Sequence, residues 1–334
     1  MPGRLLSRLL LQVVFVLLAV GTLCFVMAES LPGDSAYRIA AGRYGYDVVN
    51  TEIAESVRAE LGLDRPALVR WAAWLGQMAQ GDLGRSVVLG DTVVSLLAVQ
   101  LGHTLWLSLV AWALALLLGL ALGLWTALRP DGWLRHATDS LNTVLRASPS
   151  FLIGVVLSTL LAVELDWLPV AGHEEANHVV LPALTLALAL CPGFTQVVRD
   201  AALKLLRSDA FEFAQVKGLP LRAALWRHAL PQVLLATLAY AGVQLVLLIE
   251  GMVVVETLFA WPGIGHALVH AVIARDVPMV QGTAVTMALL FVLLSSAVDL
   301  LLHALDPRLA DAPAARRQPD HDPAPANPAA EPTP

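Results

Sequence analysis

The chain has 334 residues, 57% of them hydrophobic and 14% charged, with a formal net charge of −6. A soluble domain carries about 25% charged residues, so a chain this apolar cannot cover a water-exposed surface and the bilayer is its expected solvent. No basic stripe with interleaved aromatics is present, which argues against a nucleic-acid partner, and the two cysteines, Cys24 and Cys191, lie in apolar runs as small hydrophobes rather than as a disulfide or metal pair.

A membrane helix needs about 20 mostly apolar residues. The first such run, Leu9 to Ala28, follows Arg4 and Arg8. It exceeds the roughly 7–15 apolar residues of a cleaved leader and is read as a retained anchor. The segment Glu29–Gln100 is too polar to span, and its periodicity predicts short amphipathic helices at Thr51–Leu61 and Pro66–Met78. Further spans are expected at Leu101–Leu128, Leu141–Val163, Val179–Val198 (with Pro182 and Pro192 inside), Gln232–Val255 and Val280–Leu302. Neighbouring helices re-satisfy the backbone groups that a proline frees in a membrane. The tail after Asp306-Pro307, rich in Pro, Ala and Asp, is expected to be disordered.

Orientation follows from Lys and Arg in the loops. With the N-terminus inside, the inside collects Arg4, Arg8, Arg129, Arg135, Arg146, Arg199, Lys204, Arg207, Lys217, Arg222, Arg227 and the basic residues of the tail. The outside loop Glu164–His178 has none, and Phe259–Met279 has only Arg275. Both termini are therefore predicted cytoplasmic. Trp125, Trp167 and Trp261 fall near span ends, as interface anchors or as ordinary packing residues.

The segment Arg199–Pro231 is long for a connection and strongly charged. Charges at Asp209, Glu212, Lys217, Arg222 and Arg227 punctuate apolar Phe213, Val216, Leu221 and Leu225, and Gly218-Leu219-Pro220 breaks the run in two. The pattern reads as helix, turn, helix, Phe211–Lys217 then Leu221–Leu230, with an apolar face suited to a partner's groove. Inside the spans, ionisable residues are costly and often functional. Glu250 is the clearest, as a pathway carboxylate or, the reading preferred here, as a brace between helices. His103 reads as an interfacial cap. His173-Glu174-Glu175 with His178 lacks metal-ligand spacing and reads as a polar turn, so no metal site is expected.

These residues carry a resemblance. Glu212-Phe213-Ala214-Gln215-Val216-Lys217-Gly218, followed by His228-Ala229-Leu230-Pro231, resembles the coupling loop of ATP-binding-cassette (ABC) importer permeases. Glu212, Ala214, Gly218, Leu230 and Pro231 match at the family spacing, while Phe213 and His228 depart from it. Leu31-Pro32-Gly33-Asp34, Leu61–Pro66, Gly81–Ser86, Val253–Thr257, Trp261–Gly265 and Val298–Leu300 are similar to the branch that includes dipeptide, oligopeptide and nickel permeases.

The resemblance implies an all-α, six-helix, type I importer permease in the bacterial inner membrane. It implies an anchor over residues 1–28, a periplasmic segment over 29–95, a five-helix core over 96–306, a coupling loop over 199–231 and a tail over 307–334. The coupling residues would be Glu212, Ala214, Gly218, His228, Leu230 and Pro231, with Glu250 a possible pathway residue and no catalytic residue. Implied partners are a second homologous permease, two ATP-binding subunits and a periplasmic binding protein. The cargo would be a peptide, or a related solute such as a nickel chelate or an opine. The chain holds no Gly-x4-Gly-Lys-Ser/Thr loop, and its two lysines, Lys204 and Lys217, lack that context. ATP and Mg are thus expected on partner subunits, with no cofactor bound here. Two other classes compete: an ion-gradient-driven secondary transporter, and a non-transporting membrane assembly factor. The first leaves the Glu212–Pro231 pattern without a role, and the second predicts a sizeable soluble signalling domain, which the tail is not expected to form.

Overall fold

The computed structural model describes residues 2–305 except 31, 46, 218–219, 221–222 and 224–229. Among the described residues the architecture is helical, with a single isolated antiparallel bridge between Arg85 and Thr92. Helix α1 spans Pro2–Ser30 and is followed by three short helices, α2 (Ser35–Tyr44), α3 (Thr51–Leu61) and α4 (Ala67–Ala79). The bundle proper begins with α5 (Val93–Leu128), then α6 (Trp133–Ala147) and α7 (Ser150–Leu157), which runs on as a π-helical turn to Glu164. Next come α8 (Val180–Leu206) and the short α9 (Asp209–Val216). The last four helices are α10 (Leu230–Gly251), α11 (Val253–Leu258), α12 (Ile264–Ile273) and α13 (Val277–Leu305).

Among the described residues, five helical stretches are long and apolar enough to cross a membrane: Ser7–Ser30, Val93–Leu128, Ala176–Leu206, Leu230–Ile249 and Val277–Leu302. The third expected span, Leu141–Val163, is not one straight helix. The chain bends by 113° between Trp133–Ala147 and Ser150–Glu164. Pro149 is the physical reason. It lacks the N–H that would continue α6, and it drives the preceding Ser148 into extended backbone (φ −94°, ψ 128°). Pro192, by contrast, is accommodated inside α8.

The centre of the fold is the α5–α8 contact, the most extensive between any two helices. Lipid tails are as apolar as leucine, so membrane helices associate through close packing and small residues rather than through the hydrophobic effect. Helix α5 supplies these at a four-residue period: Ala111, Ala115, Gly119, Gly123 and Ala127, all buried. A Cβ on Gly119 would fall 2.2 Å from Cβ of Phe194, and one on Gly123 would fall 2.6 Å from Cβ of Val198. Helix α6 is clipped to the same partner by polar contacts. Arg199 on α8 pairs with Asp139 at 2.5 Å, and Arg146 donates to Gln196 Oε1 at 2.6 Å. Helix α1 sits at the perimeter, packing against α13 and touching α4.

The outer helices follow from local signals. Asn50 caps α3 by accepting from the Ile53 amide at 2.9 Å, and Gly62 ends it in the left-handed conformation at φ 60°. Helix α4 starts one residue after Pro66. Helix α2, which no apolar stripe announces, is capped by Asp34 accepting from the Ala36 amide at 2.9 Å.

Candidate functional site

Two places in this frame concentrate polar chemistry. One is the end of the bundle that carries α2–α4, and the other is the α8–α10 connection.

At the first, α10 gives way to α11 and then to Trp261-Pro262-Gly263-Ile264-Gly265, which opens α12. Glu256 on α11 is fully buried and turns back onto that opening. Its carboxyl group accepts from the Thr104 hydroxyl at 2.6 Å, the Gly265 amide at 2.8 Å and the His266 amide at 3.1 Å. The Thr104 oxygen in turn accepts from the Ile264 amide at 2.8 Å. Three orphan N–H groups at the N-terminus of α12 are thereby satisfied in a buried setting. The glycines are required by contact. A Cβ at Gly263 would meet Glu256 Oε1 at 2.0 Å, and one at Gly265 would meet Val253 Cα at 2.7 Å. Trp261 is buried, and its indole N–H donates to the His103 carbonyl at 3.1 Å, so here the packing role holds. His103 lies edge-on to Trp261 and to His173. Trp125 and Trp167 stand exposed, Trp125 under the Arg129 guanidinium at 4.8 Å. In the His173–His178 stretch, the Glu175 amide donates to His178 Nδ1 at 3.2 Å, which closes a turn.

A second buried carboxyl at the same end escaped the sequence reading. Asp276, between α12 and α13, accepts from the Ser86 hydroxyl, from the amides of Val87 (3.2 Å) and Val88 (3.4 Å), and from its own helix at Met279 (3.3 Å). It ties the Gly81–Ser86 motif of the outer segment to the core. The available signal was an Asp one residue before a helix whose second position is Pro278.

At the other end, α9 leaves α8 through Ser208, whose carbonyl accepts from the Phe211 and Glu212 amides at 2.9 and 3.1 Å. Phe211 is buried against Leu205 and Leu206. Phe213 and Val216 of α9 face outward, 59% and 78% exposed. Glu212 is exposed beside them, and the Lys217 ammonium lies 4.5 Å from the Phe213 ring. Of the other residues expected here, Ala214 lies in α9, and Leu230 and Pro231 open α10. Gly218, His228 and most of the expected second helix Leu221–Leu230 lie outside the described residues, as does the tail beyond Leu305. Glu250 occupies the last turn of α10, with its side chain outside the described set. Among the described residues, no group of three His, Cys, Asp or Glu could hold a metal ion.

A family model described as the binding-protein-dependent transport system inner membrane component matches residues 119–311. A Brucella melitensis protein named provisionally as a peptide transport system permease is 34% identical over 317 residues, covering 92% of this chain and 99% of that one. A glutathione transport system permease protein of Pectobacterium atrosepticum is 34% identical over 300 residues, covering 90% of this chain and 96% of its own length. Among solved structures, an inward-facing MetNI methionine ABC transporter matches with a TM-score of 0.53 at 18% identity, over 63% of this chain and 96% of the solved one. An amino acid ABC transporter matches with a TM-score of 0.52 at 15% identity. At these identities the structural matches speak for the fold.

Proposed function

The chain belongs to the binding-protein-dependent transport system inner membrane component family, and from that premise we propose that α9 is the element through which a separate ATPase drives it. The protein is a multi-pass membrane permease of an ABC importer, of the branch that holds peptide and glutathione permeases. An importer of this family works with ATPase and binding-protein partners.

The observation that carries the coupling proposal is the outward-facing Phe213 and Val216 of α9. Large apolar side chains facing away from their own bundle, on a segment rich in Arg and Lys, fit an amphipathic helix awaiting a groove. In this reading Glu212 meets a cation on the ATPase or braces the loop, Ala214 allows close approach and Gly218 makes the turn. His228, Leu230 and Pro231 close the loop and start α10. The complex contains a second homologous permease and two ATPase subunits, which bind ATP and Mg. Residues 1–28 anchor the chain, 29–95 face the periplasm and receive the binding protein, and 96–306 form the five-helix core of the permease. Both termini are cytoplasmic, in the bacterial inner membrane. The cargo is a short peptide or a peptide-like solute, and selectivity rests mainly with the binding protein. Glu250 is the candidate pathway carboxylate; a Glu250→Gln variant with unchanged uptake of every cargo would remove it from the pathway.

The mechanism is alternating access. ATP closes the ATPase dimer, α9 carries that motion into α8 and α10, and the pathway opens toward the binding protein. Hydrolysis resets it. The test is Gly218→Trp in the assembled transporter. Uptake should fall at least about tenfold while the complex still assembles and hydrolyses ATP. Normal uptake would refute the assignment of α9 and its turn. A secondary transporter or an assembly factor would not bring an ATPase pair down on purification.

A further inference from the structure

A cavity of about 920 Å³ lies between α1, α2, α4 and the start of α13. It approaches the top of the roughly 300–1,000 Å³ range of small-molecule sites. It is remote from α9, and α1, which forms one wall, is a peripheral helix with only 6% of its apolar window buried. The cavity therefore opens on the outer side of the bundle and not toward its centre.

Its lining is divided by depth. On the membrane side are Phe25, near the end of the span Ser7–Ser30, and Val280, near the start of the span Val277–Leu302, with Trp74 of α4 across from them. The Phe25 and Trp74 rings are 6.5 Å apart. At the span ends the lining turns basic: Arg38, Arg65, Arg70 and Arg275, against a single carboxylate, Glu29. Arg70 pairs with Glu29 at 2.5 Å, and Arg38 donates to the Pro32 carbonyl at 2.9 Å. Arg65 and Arg275 are solvent-exposed. An apolar slot that starts inside the span and ends in a cluster of guanidinium groups at the membrane boundary matches one kind of molecule. That molecule has a hydrocarbon chain and an anionic phosphate headgroup.

We propose that this cavity holds an anionic phospholipid, its phosphate at Arg65 and Arg275 and an acyl chain between Phe25, Trp74 and Val280. The lipid fills the space between the perimeter helix and the α2–α4 segment and so joins the two. The site does not depend on which side of the membrane α2–α4 face, since either leaflet supplies the same chemistry. It therefore stands or falls separately from the coupling assignment.

The full-length chain, with the subunits that accompany it, is reconstituted in nanodiscs of mixed phosphatidylglycerol and phosphatidylethanolamine. Retained lipid is then counted by native mass spectrometry. Phosphatidylglycerol should be retained in preference. The double substitution Arg65→Gln, Arg275→Gln should reduce that preference on the order of tenfold. Ala73→Trp, which places a large side chain on the α4 wall of the cavity, should expel lipid of either headgroup while the complex keeps its elution volume and melting behaviour. The proposal is overturned if both variants retain lipid like the parent. It is equally overturned if inorganic phosphate alone raises the melting temperature as much as phosphatidylglycerol does, which would make the basic rim a simple anion site. Retention that ignores headgroup charge in the parent would also refute it.

Discussion

At Glu256 a hydroxyl and two backbone amides converge on one carboxyl group that no solvent reaches. Removing it leaves those donors buried without partners, and each buried donor left unsatisfied costs about 1–3 kcal/mol. Glu256→Ala should therefore lower the thermal midpoint of the purified complex strongly, with a loss of about 3–5 kcal/mol. Gly265→Ala acts on the same arrangement from the backbone side, because its Cβ would collide with Val253 Cα. The two substitutions should be clearly non-additive in a double-mutant cycle, as for residues that share one network. Additive losses would show that the Trp261–Gly265 turn and Glu256 are separate features. The glycines of this turn are thus explained by what touches them, whereas Gly102 has nothing within 4 Å of its would-be Cβ.

Helices α5 and α8 set the next scale. Gly119→Ala forces a methyl group into Phe194, and overpacking of this kind costs typically about 1–3 kcal/mol. Gly102→Ala on the same helix meets open space and should be neutral or slightly stabilising, by up to about 1 kcal/mol of helix propensity. Thermal unfolding in detergent checks both, and equal effects at the two positions would sink the close-packing account. At this scale most of the fold was readable. Periodicity located α3 at Thr51–Leu61, and uninterrupted apolar length located α5, α10 and α13 within a turn or so at most termini. Helix α2 escaped because Ser35–Tyr44 carries small and polar residues without a stripe, so only its Asp34 cap signals it. The bend in the third span escaped because summed hydrophobicity over Leu141–Val163 is blind to direction. Ser148-Pro149 was the visible warning, since the residue before proline is pushed out of the helical region. Asp276 escaped for another reason: its partners Ser86, Val87 and Val88 lie 188 to 190 positions away. A contact of that range leaves no local pattern.

For the molecule as a whole, the expected topology puts Glu174 and Glu212 on opposite sides of the membrane. Cysteines introduced at these two exposed positions, with Cys24 and Cys191 replaced by serine, should react with a membrane-impermeant maleimide from opposite faces of sealed vesicles. Labelling of both from one face would overturn the orientation, and with it the placement of α9 beside an ATPase. The bend at Pro149 carries a further consequence for the surrounding lipid. Taken as the crossing segment at that point, with α6 turned aside by the 113° bend, Ser150–Glu164 is short. At about 1.5 Å per residue this stretch reaches roughly 22 Å, against about 30 Å of hydrocarbon. A crossing by this stretch would make the protein shorter than its bilayer along one edge, while α5 and α13 are long enough for its full height. The membrane would then dip to meet it, so lipids of shorter chain length should gather beside α7 and thick bilayers should strain the fold first at that edge.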